Sequence, residues 1–592
     1  MFDYRAPLDD MRFVLFDVLQ SEPLWQTLEG VEEVDRATAD AILEEAAKVC
    51  EQVVAPLNRP ADEQGCLLSQ GEVTTPDGFK EAYRTFNDGG WGGLGGNPKW
   101  GGMGMPKSLV CAVEEMLQGG CMSFGLAPML TAGACLALDS HADDTLKQCY
   151  LEKMYSGEWS GAMDLTEPHA GTDLGLIKTK AEPQNDGSYR ITGTKIFITW
   201  GEHDMASNIV HLVLAKLPDA PEGSRGISLF LVPKYLPDAA GNSGARNGVE
   251  CGALEKKMGI KGSATCVMNF DDAQGWLVGE ANRGLNCMFT MMNYERLVVG
   301  VQALATAHWA YQNAVAYARD RTQGRGPAGA QTPGQSADSI MVHPDVRRTL
   351  MTTKALNEGG RAFYVYVAQW LDKAKYASDP QEKQLAQDRV ALLTPVAKAF
   401  LSDMAFDAAV DCQQVFGGHG YIREWGQEQF VRDIRITQIY EGTNGVQAMD
   451  LMGRKTVSCQ GQLLQAQLDE ITDFITENEH ELQALSLLSD LRESVDELAA
   501  VTEYVVQSAQ NTPEEVGAAA VEYLHLVGYV MYGYLWAKMA LAAQQKSDDE
   551  FMQSKIITAT FYFKRVLPRT KSLQLSIVQG SSSVMALAAD QF

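Results

Sequence analysis

Four segments of this chain place acidic, hydroxyl and glycine residues close together inside an apolar frame. They are residues 165–173 (LTEPHAGTD), 193–204 (GTKIFITWGEHD), 411–422 (DCQQVFGGHGYI) and 436–447 (ITQIYEGTNGVQ). A carboxylate beside glycine, as in the Tyr-Glu-Gly-Thr string of the fourth segment, can remove a proton when its surroundings raise its pKa. Taken singly, each segment is also typical of a capped turn, so only the whole set can indicate a chemistry.

Several other chemistries are excluded by the spacing of the residues that they need. The eleven cysteines contain no CxxC pair and the nine histidines have no metal-ligand spacing, so we expect no metal site. There is no GxSxG and no Walker A string. A formal GxGxxG at residues 90–95 follows the helix-like EAYRTFNDG and precedes no βαβ unit, which argues against a dinucleotide fold.

Composition narrows the function class. The chain has 592 residues, 45% of them apolar, with a formal net charge of −27. The apolar share predicts packed cores, and the acidic balance argues against nucleic-acid binding. The beginning, MFDYRAPLDDMRF, has no signal-peptide pattern, and the fifteen uncharged residues 523–537 are too few to span a bilayer. We expect a cytoplasmic protein without membrane association.

The hydrophobic patterns change twice along the chain. Residues 1–160 have mainly helical spacing and form a predicted N-terminal helical domain. Residues 161–285 contain short β-rich runs between turn residues, which predict a middle domain with a small antiparallel sheet or barrel. Helical spacing returns in a predicted bundle, residues 286–455, and in a C-terminal extension, residues 460–592. The predicted fold class is therefore α+β.

In this order and at these spacings, the four segments resemble the acyl-CoA dehydrogenase family over about residues 1–455. The strings YRAPLDDMRFVL, VHPDVRRTLM and LMGRK resemble its longer bacterial branch, which has an extra C-terminal helical region. The resemblance implies FAD-dependent α,β-dehydrogenation of an acyl-CoA thioester to the trans-2-enoyl-CoA, as in fatty acid β-oxidation. In the family a carboxylate takes the α-proton, a hydride passes to flavin N5, and an electron-transfer flavoprotein receives the electrons.

The resemblance also assigns roles near the thioester. Glu441 matches the usual catalytic base, and Gly442 follows it where a Cβ would crowd the thioester. Glu295 is a rival, because a minority of the family carries the base in an x-Glu-Arg string on another helix. That minority lacks the glutamate at the Tyr-Glu-Gly-Thr position, so we expect Glu295 to be a pocket residue. The full set of expected substrate-binding residues is Thr172, Glu295, Arg296, Tyr440 and Gly442.

The expected FAD contacts come from all four segments and from one arginine outside them. They are Leu165, Thr166, Phe197, Ile198, Thr199, Arg321, Gln414, Val415, Gly417, Gly418, Thr443 and Gln447. In relatives the arginine and the QxxGG segment reach the FAD of a neighbouring subunit, which implies a homodimer or a higher homo-oligomer. Two residues depart from the family pattern: His169 replaces a glycine, and Trp200 replaces an asparagine near the expected flavin edge.

Three alternative functions remain open at this point. A 3-methylmercaptopropionyl-CoA dehydrogenase would use the same chemistry on a sulfur-containing chain. An acyl-CoA oxidase would pass its electrons to oxygen. A non-catalytic acyl-CoA-binding or flavin-binding protein would keep the fold alone. The extension after residue 460 is expected to pack on the rest of the chain rather than on a membrane, because it has apolar helices without a dense basic face.

Overall fold

The computed structural model describes residues 3–484, 487–546 and 548–592. The chain forms two compact units. The helical unit contains Met1–Glu44, Lys107–Glu115 and Val299–Phe592. The barrel unit contains Glu45–Pro106 and Met116–Val298.

Helices dominate the first part of the chain, as the hydrophobic spacing predicts. They are α1 (Leu8–Arg12), α2 (Ser21–Trp25), α3 (Arg36–Val49), α4 (Asn58–Gln64), α5 (Phe79–Asp88), α6 (Lys107–Gly120), α7 (Met122–His141) and α8 (Asp144–Tyr155). Helix α5 precedes the formal GxGxxG, and a short 3₁₀ turn, Trp91–Gly93, lies within it, so the predicted helix before this string is confirmed.

The middle of the chain supplies the strands. They are β1 (Leu67–Ser69), β2 (Glu72–Thr74), β3 (Trp159–Asp164), β4 (Lys180–Pro183), β5 (Tyr189–Thr199), β6 (Asn208–Lys216), β7 (Ile227–Pro233), β8 (Tyr235–Pro237), β9 (Ser243–Arg246), β10 (Val249–Leu254) and β11 (Thr265–Val278). Strands β5, β4, β6, β7 and β11 pair in a closed circuit, with β3 and β10 added to it. The expected barrel is present and mainly antiparallel, but β3 and β4 each run parallel to β6.

Two of the barrel strands, β6 and β7, are covered on both faces. All seven residues of β7 and nearly all of β6 are buried, as expected for strands whose apolar runs are covered on both faces. Helix α7 packs against β3 so closely that a Cβ on Gly161 would lie 2.6 Å from the Ala134 Cβ. Within the described residues, α7 is the one helix long and apolar enough to cross a membrane, and 83% of its apolar window is buried, as in a core helix.

The remaining helices follow the barrel strands. They are α9 (Gly284–Asp320), α10 (Pro344–Tyr376), α11 (Pro380–Val415), α12 (Gln427–Arg435), α13 (Asn444–Met449), α14 (Gln462–Glu477), α15 (Glu479–Ala484), α16 (Leu488–Ser508), α17 (Glu514–Gln544), α18 (Glu550–Phe561) and α19 (Arg569–Ile577).

The C-terminal extension packs on the long helices of the same unit. A Cβ on Gly528 of α17 would lie 2.4 Å from the Phe400 ring of α11, and one on Gly359 of α10 would lie 2.7 Å from Tyr532. Residues 523–537 lie within α17 and are buried except for the half-buried His525. The expectation that the extension packs on the chain is therefore confirmed, and its apolar run forms core.

Candidate active site

Strand β5 contains a β-bulge at the segment that was expected to contact the flavin ring. Its pairing with β11 shifts register between Cys266 and Met268. There Phe197 adopts a left-handed conformation with φ of 61°, and the residue is 59% exposed. Ile198 is buried and Thr199 is half-buried. Because a bulge redirects a side chain, it presents a large aromatic ring on a rigid strand.

The bulge also connects β5 to the loop after β3. The Ile196 N–H donates to the Thr166 carbonyl oxygen at 2.9 Å. The buried Lys195 ammonium donates to the Leu165 carbonyl oxygen at 3.0 Å and to Glu167 Oε1 at 2.9 Å. The structure thus brings Leu165 and Thr166 next to the Phe197 segment, as the resemblance predicts.

Electrostatics hold this loop in place. Burial raises the pKa of Glu167, but the Lys195 ammonium and hydrogen bonds from Thr179 and the Lys178 N–H lower the pKa by more. Burial lowers the pKa of Lys195 in spite of its carboxylate partner. A buried ion pair with further hydrogen bonds of this kind specifies one loop geometry.

The two departures from the family pattern are accounted for within the barrel unit. Trp200 is 1% exposed, and its indole N–H donates to the Ser123 carbonyl oxygen at 3.2 Å. The indole packs against Phe79 and His203, so Trp200 is a core residue. The exposed His169 ring nitrogen Nε2 lies 3.0 Å from the Leu176 carbonyl oxygen, which closes the turn that contains Thr172.

The expected substrate residues of the barrel unit differ in exposure. Thr172 is exposed, and Arg296 is half-buried with an Nη1 donor 3.2 Å from Asn293 Oδ1. Glu295 is 0% exposed on α9 and is packed against α7, where a Cβ on Gly133 would lie 2.9 Å from Glu295 Oε1. This tight packing fits a structural role for Glu295.

In the helical unit, Glu441 lies in the loop between α12 and α13 and is half-buried. Its φ is 56°, a conformation that non-glycine residues adopt at a cost of about 1–3 kcal/mol. Gly442 follows with φ of 83°, and a Cβ there would lie 2.7 Å from Gln447 Nε2. That amide donates to the Glu441 carbonyl oxygen at 3.2 Å. The close approach of the Gln447 amide therefore favours glycine at position 442 whether or not a thioester binds beside it.

Neighbouring side chains complete the loop. The Tyr440 hydroxyl donates to Gln302 Oε1 at 2.6 Å. Thr443 caps α13, because its hydroxyl accepts from the Val446 N–H at 3.2 Å. Thr443 is exposed at the N-terminus of α13. The Gln447 side chain uses one of its two amide N–H groups for the hydrogen bond to the Glu441 carbonyl oxygen.

The end of α9 and the QxxGG segment are brought together within the helical unit. The Tyr317 hydroxyl lies 2.9 Å from His419 Nδ1, and its ring stacks on Phe416 with centroids 4.2 Å apart. Arg321 follows one turn after Tyr317 and is exposed. Within the QxxGG string itself, residues 414–418, Gln414, Gly417 and Gly418 are exposed and Val415 is buried.

These residues fit FAD by the chemistry of their donors and by their surroundings. A Cβ on Gly417 or Gly418 would meet no atom of the described chain within 4 Å, so the backbone there is open to a ligand. The exposed Phe197 ring offers a stacking surface, and threonine hydroxyls and backbone amides suit a pyrimidine edge. The exposed Arg321 guanidinium suits a pyrophosphate.

Sequence reasoning missed the residues that hold the expected site from behind. Lys195 is one, although a lysine on the same strand face as Ile191 is a signal of a buried cation. Asp403 and His525 are others: Asp403 accepts from the side-chain amides of Gln438 and Asn444, and His525 Nε2 lies 2.8 Å from Asp403 Oδ2. His525 was visible as the one titratable nitrogen base within the uncharged run 523–537.

Four family profiles match the chain in succession. They are described as "Acyl-CoA dehydrogenase, N-terminal domain" (residues 36–158), "Acyl-CoA dehydrogenase, middle domain" (residues 162–273), "Acyl-CoA dehydrogenase, C-terminal domain" (residues 282–456) and "Acetyl-CoA dehydrogenase C-terminal like" (residues 467–588).

Relatives match over the full length. A 3-methylmercaptopropionyl-CoA dehydrogenase of Ruegeria pomeroyi is 42% identical and covers 98% of this chain and 99% of its own. The broad-specificity linear acyl-CoA dehydrogenase FadE5 of Mycobacterium tuberculosis is 34% identical, with 99% of both chains covered. The crystal structure of ACDH-11 of Caenorhabditis elegans in complex with C11-CoA has a TM-score of 0.78 at 19% identity and covers 95% of this chain and 92% of its own, which shows a shared fold.

Proposed function

The chain belongs to the acyl-CoA dehydrogenase family, and from that premise we propose that Glu441 is the base that removes the α-proton of an acyl-CoA thioester. The observation that carries the proposal is the conformation of Glu441, whose backbone is left-handed in a loop fixed by Gln447 and Tyr440. Strain that the surrounding structure maintains is typical of functional positions.

The reaction breaks the Cα–H and Cβ–H bonds and forms the trans double bond between these carbons. Glu441 takes the α-proton, and the β-hydrogen leaves with its electron pair. We propose that the Glu441 backbone N–H donates to the thioester oxygen, where charge develops during proton removal. Since the Tyr440 hydroxyl is used by Gln302, we assign Tyr440 the role of holding the loop.

FAD supplies the two-electron oxidant when it is bound. Within the barrel unit, Leu165, Thr166 and the Phe197–Thr199 backbone would hold its ring. Within the helical unit, Thr443 caps α13 after the loop of the base, Gln447 lies on α13, and the exposed Arg321 would pair with a pyrophosphate. FAD dependence is a property of the family, and we propose that these residues are the donors that bind FAD in this chain.

For the substrate we propose a short acyl chain, with 3-methylmercaptopropionyl-CoA as the first candidate. The full-length relative with 42% identity carries that name. The broad-specificity relative at 34% identity makes linear acyl-CoA esters the second candidate. Comparing kcat/KM over these esters distinguishes the two, because specificity is a ratio of kcat/KM values.

The base is tested with a pair of amide variants. We expect Glu441→Gln to lower kcat by about 10²- to 10⁴-fold while FAD stays bound, because the amide is nearly isosteric but cannot accept the proton. Turnover is measured with an artificial electron acceptor, and flavin content by absorbance. The matched variant Glu295→Gln should retain far more turnover. The opposite ranking would move the base to Glu295.

We propose that an electron-transfer flavoprotein accepts the electrons and that the protein is at least a homodimer. The dimer is supported by Arg321, Gln414, Gly417 and Gly418, which are exposed and leave room for a ligand held by another subunit. Reduction of a purified electron-transfer flavoprotein by enzyme and substrate tests the acceptor. Hydrogen peroxide production at a comparable rate would instead support an acyl-CoA oxidase.

A further inference from the structure

The loop that carries Glu441 is bonded at both ends to one half-buried carboxylate on α11, that of Asp403. Asp403 Oδ1 accepts from Gln438 Nε2 at 2.7 Å and from Asn444 Nδ2 at 2.6 Å. Asp403 Oδ2 accepts from His525 Nε2 at 2.8 Å. We call these four side chains the Asp403 cluster. Burial raises the pKa of Asp403, but the bonds from His525 and Gln438 lower the pKa below its usual value, so the carboxylate is an anion.

The Asp403 cluster holds both ends of the loop. Gln438 stands three residues before Glu441, and Asn444 stands three residues after it. The orientation of both amides is set by cations on their oxygens: Arg435 donates to Gln438 Oε1 at 3.1 Å, and Lys398 donates to Asn444 Oδ1 at 2.7 Å. The two NH₂ groups therefore both donate to Asp403, and Asn444 Nδ2 also donates to Ser402 Oγ at 2.9 Å. Asp403 thus joins the two ends of the segment, in addition to the Tyr440–Gln302 and Gln447–Glu441 bonds.

His525 comes from outside the part of the chain that carries the other members. It lies on α17, in the C-terminal extension, and its side chain is 22% exposed. The His525 ring meets the buried Phe400 ring edge-on with centroids 5.9 Å apart. One turn further, Gly528 allows α17 to approach the same Phe400 ring. The imidazole is thus fixed by packing, and its hydrogen bond fixes Asp403.

We infer that His525 is a positioning residue for the reaction, through which the C-terminal extension orders the loop of the base. This inference rests on the proposed role of Glu441. His525 does not touch the reacting atoms. It holds the Asp403 carboxylate in the position that accepts both loop amides, so removing its N–H lets the loop sample more conformations. The extension is then a part of the catalytic apparatus and not a cover for the helical bundle alone.

The test compares three variants of the full-length holoenzyme. His525→Phe keeps the ring contact with Phe400 but has no donor. His525→Gln keeps an amide donor near the position of the imidazole Nε2–H. Tyr523→Phe is the matched control, because it removes a buried hydroxyl bond to Thr502 from the same helix, away from the loop. Kinetics give kcat and KM, and hydrogen–deuterium exchange follows the peptide of residues 436–447.

We expect His525→Phe to lower kcat by about 10-fold with KM unchanged and to speed exchange in residues 436–447. His525→Gln should restore most of both properties. Tyr523→Phe should lower the Tm while kcat and the exchange of this peptide stay at the wild-type values. A His525→Phe enzyme with wild-type kcat and wild-type exchange would overturn the inference, and so would an equal effect from Tyr523→Phe.

Asp403→Asn provides an independent check, because it removes the shared acceptor directly. If His525 acts through Asp403, adding His525→Phe to Asp403→Asn should lower kcat no further. Additive losses would contradict the inference. Failure of the proposed function is distinguishable: a Glu441→Gln enzyme with full turnover would remove the base assignment, whereas the exchange data would still report whether His525 orders the loop.

Discussion

Glu441 and Phe197 share an uncommon feature at the residue scale. Both have left-handed backbones, with φ of 56° and 61°, although neither is glycine. Each is supported by bonds from its own unit: Gln447 bonds the backbone of Glu441, and Ile196 bonds the loop beside Phe197. Seven other non-glycine residues of the described chain also have positive φ, Trp200 among them, so the strain supports a role for Glu441 and Phe197 only together with their places in the motifs.

The residues that face the expected ligands could be identified from the sequence, whereas those behind them could not. Glu441, Phe197 and Arg321 stand in strings whose types and spacing are specific. Lys195 stands in the same string as Phe197 and Asp403 stands in none, but both act through other residues rather than on a ligand. Their partners lie 28 to 122 residues away, and only the folded chain brings them together. The sequence signal for Lys195 is a charge at an inward strand position.

Lys195 gives a prediction at this scale. Lys195→Met removes the donor to the Leu165 carbonyl oxygen and leaves the Glu167 carboxylate without its ammonium partner. We expect the Kd for FAD to rise at least ~10-fold, equivalent to about 1.4 kcal/mol, because the loop is no longer fixed. Flavin retained after gel filtration and the Kd from fluorescence quenching measure this. The exposed Lys178→Met is the control, and equal losses in both variants would contradict the role of Lys195.

Regular elements were predictable where one hydrophobic period runs without interruption. The spacing over residues 286–321 predicts a single helix, and the structure has α9 from Gly284 to Asp320. The alternation over residues 189–199 predicts a strand, and β5 has those bounds. The bulge inside β5 was not predictable, because it depends on the register with β11, a strand that begins at Thr265. The exposed position of Phe197 therefore depends on a bulge, which the alternation of residues along one strand does not predict.

The end of α9 gives a prediction at the scale of elements. Arg321 leaves the helix where the Tyr317–His419 contact joins it to the QxxGG segment. We expect Arg321→Ala to lower FAD content and to shift the protein towards monomer, because a guanidinium on a pyrophosphate contributes across the subunit boundary. The exposed Arg319→Ala is the control. Analytical ultracentrifugation and flavin absorbance measure both effects, and unchanged flavin content in Arg321→Ala would contradict the contact.

Across the whole molecule, a buried ion network joins the two ends of the chain within the helical unit. Lys555 of α18 pairs with Asp10 and lies 2.9 Å from Glu358. Arg361 bonds Asp10 and Glu115, and both Arg361 and Glu115 are at most 1% exposed. Asp10 and Lys555 are 545 residues apart, so no local pattern could have revealed the pair. The extension is thus built into the core by charge as well as by apolar packing.

The network gives a prediction at this scale. Removing one member of a buried ion network leaves charges uncompensated, so Lys555→Met should destabilise the protein by about 3 kcal/mol. Lys571→Met is the matched control, because its ion pairs with Glu493 and Glu497 involve a lysine that is 43% exposed, and such pairs contribute about 0–1 kcal/mol. Thermal unfolding measures both variants. Equal Tm values for Lys555→Met and the wild type would contradict the role of the network.

The pH dependence of the Tm difference between the wild type and Lys555→Met tests whether the network stabilises the protein electrostatically. Burial raises the pKa of Asp10, but Lys555 and Arg361 lower the pKa well below its usual value. Because the folded-state pKa is depressed, the stabilisation is fully present above the unfolded value of about 3.9 and is lost as the pH falls further. The Tm difference between wild type and Lys555→Met should therefore be constant near neutral pH and shrink in acid.

The most direct measurement is an anaerobic titration of the purified holoenzyme with 3-methylmercaptopropionyl-CoA and linear acyl-CoA esters, following the visible flavin absorbance. The proposed function predicts that the wild-type band bleaches with near-stoichiometric 3-methylmercaptopropionyl-CoA and that the Glu441→Gln band does not. A wild-type flavin that none of these esters bleaches, or a Glu441→Gln enzyme that bleaches as fast as the wild type, would contradict it.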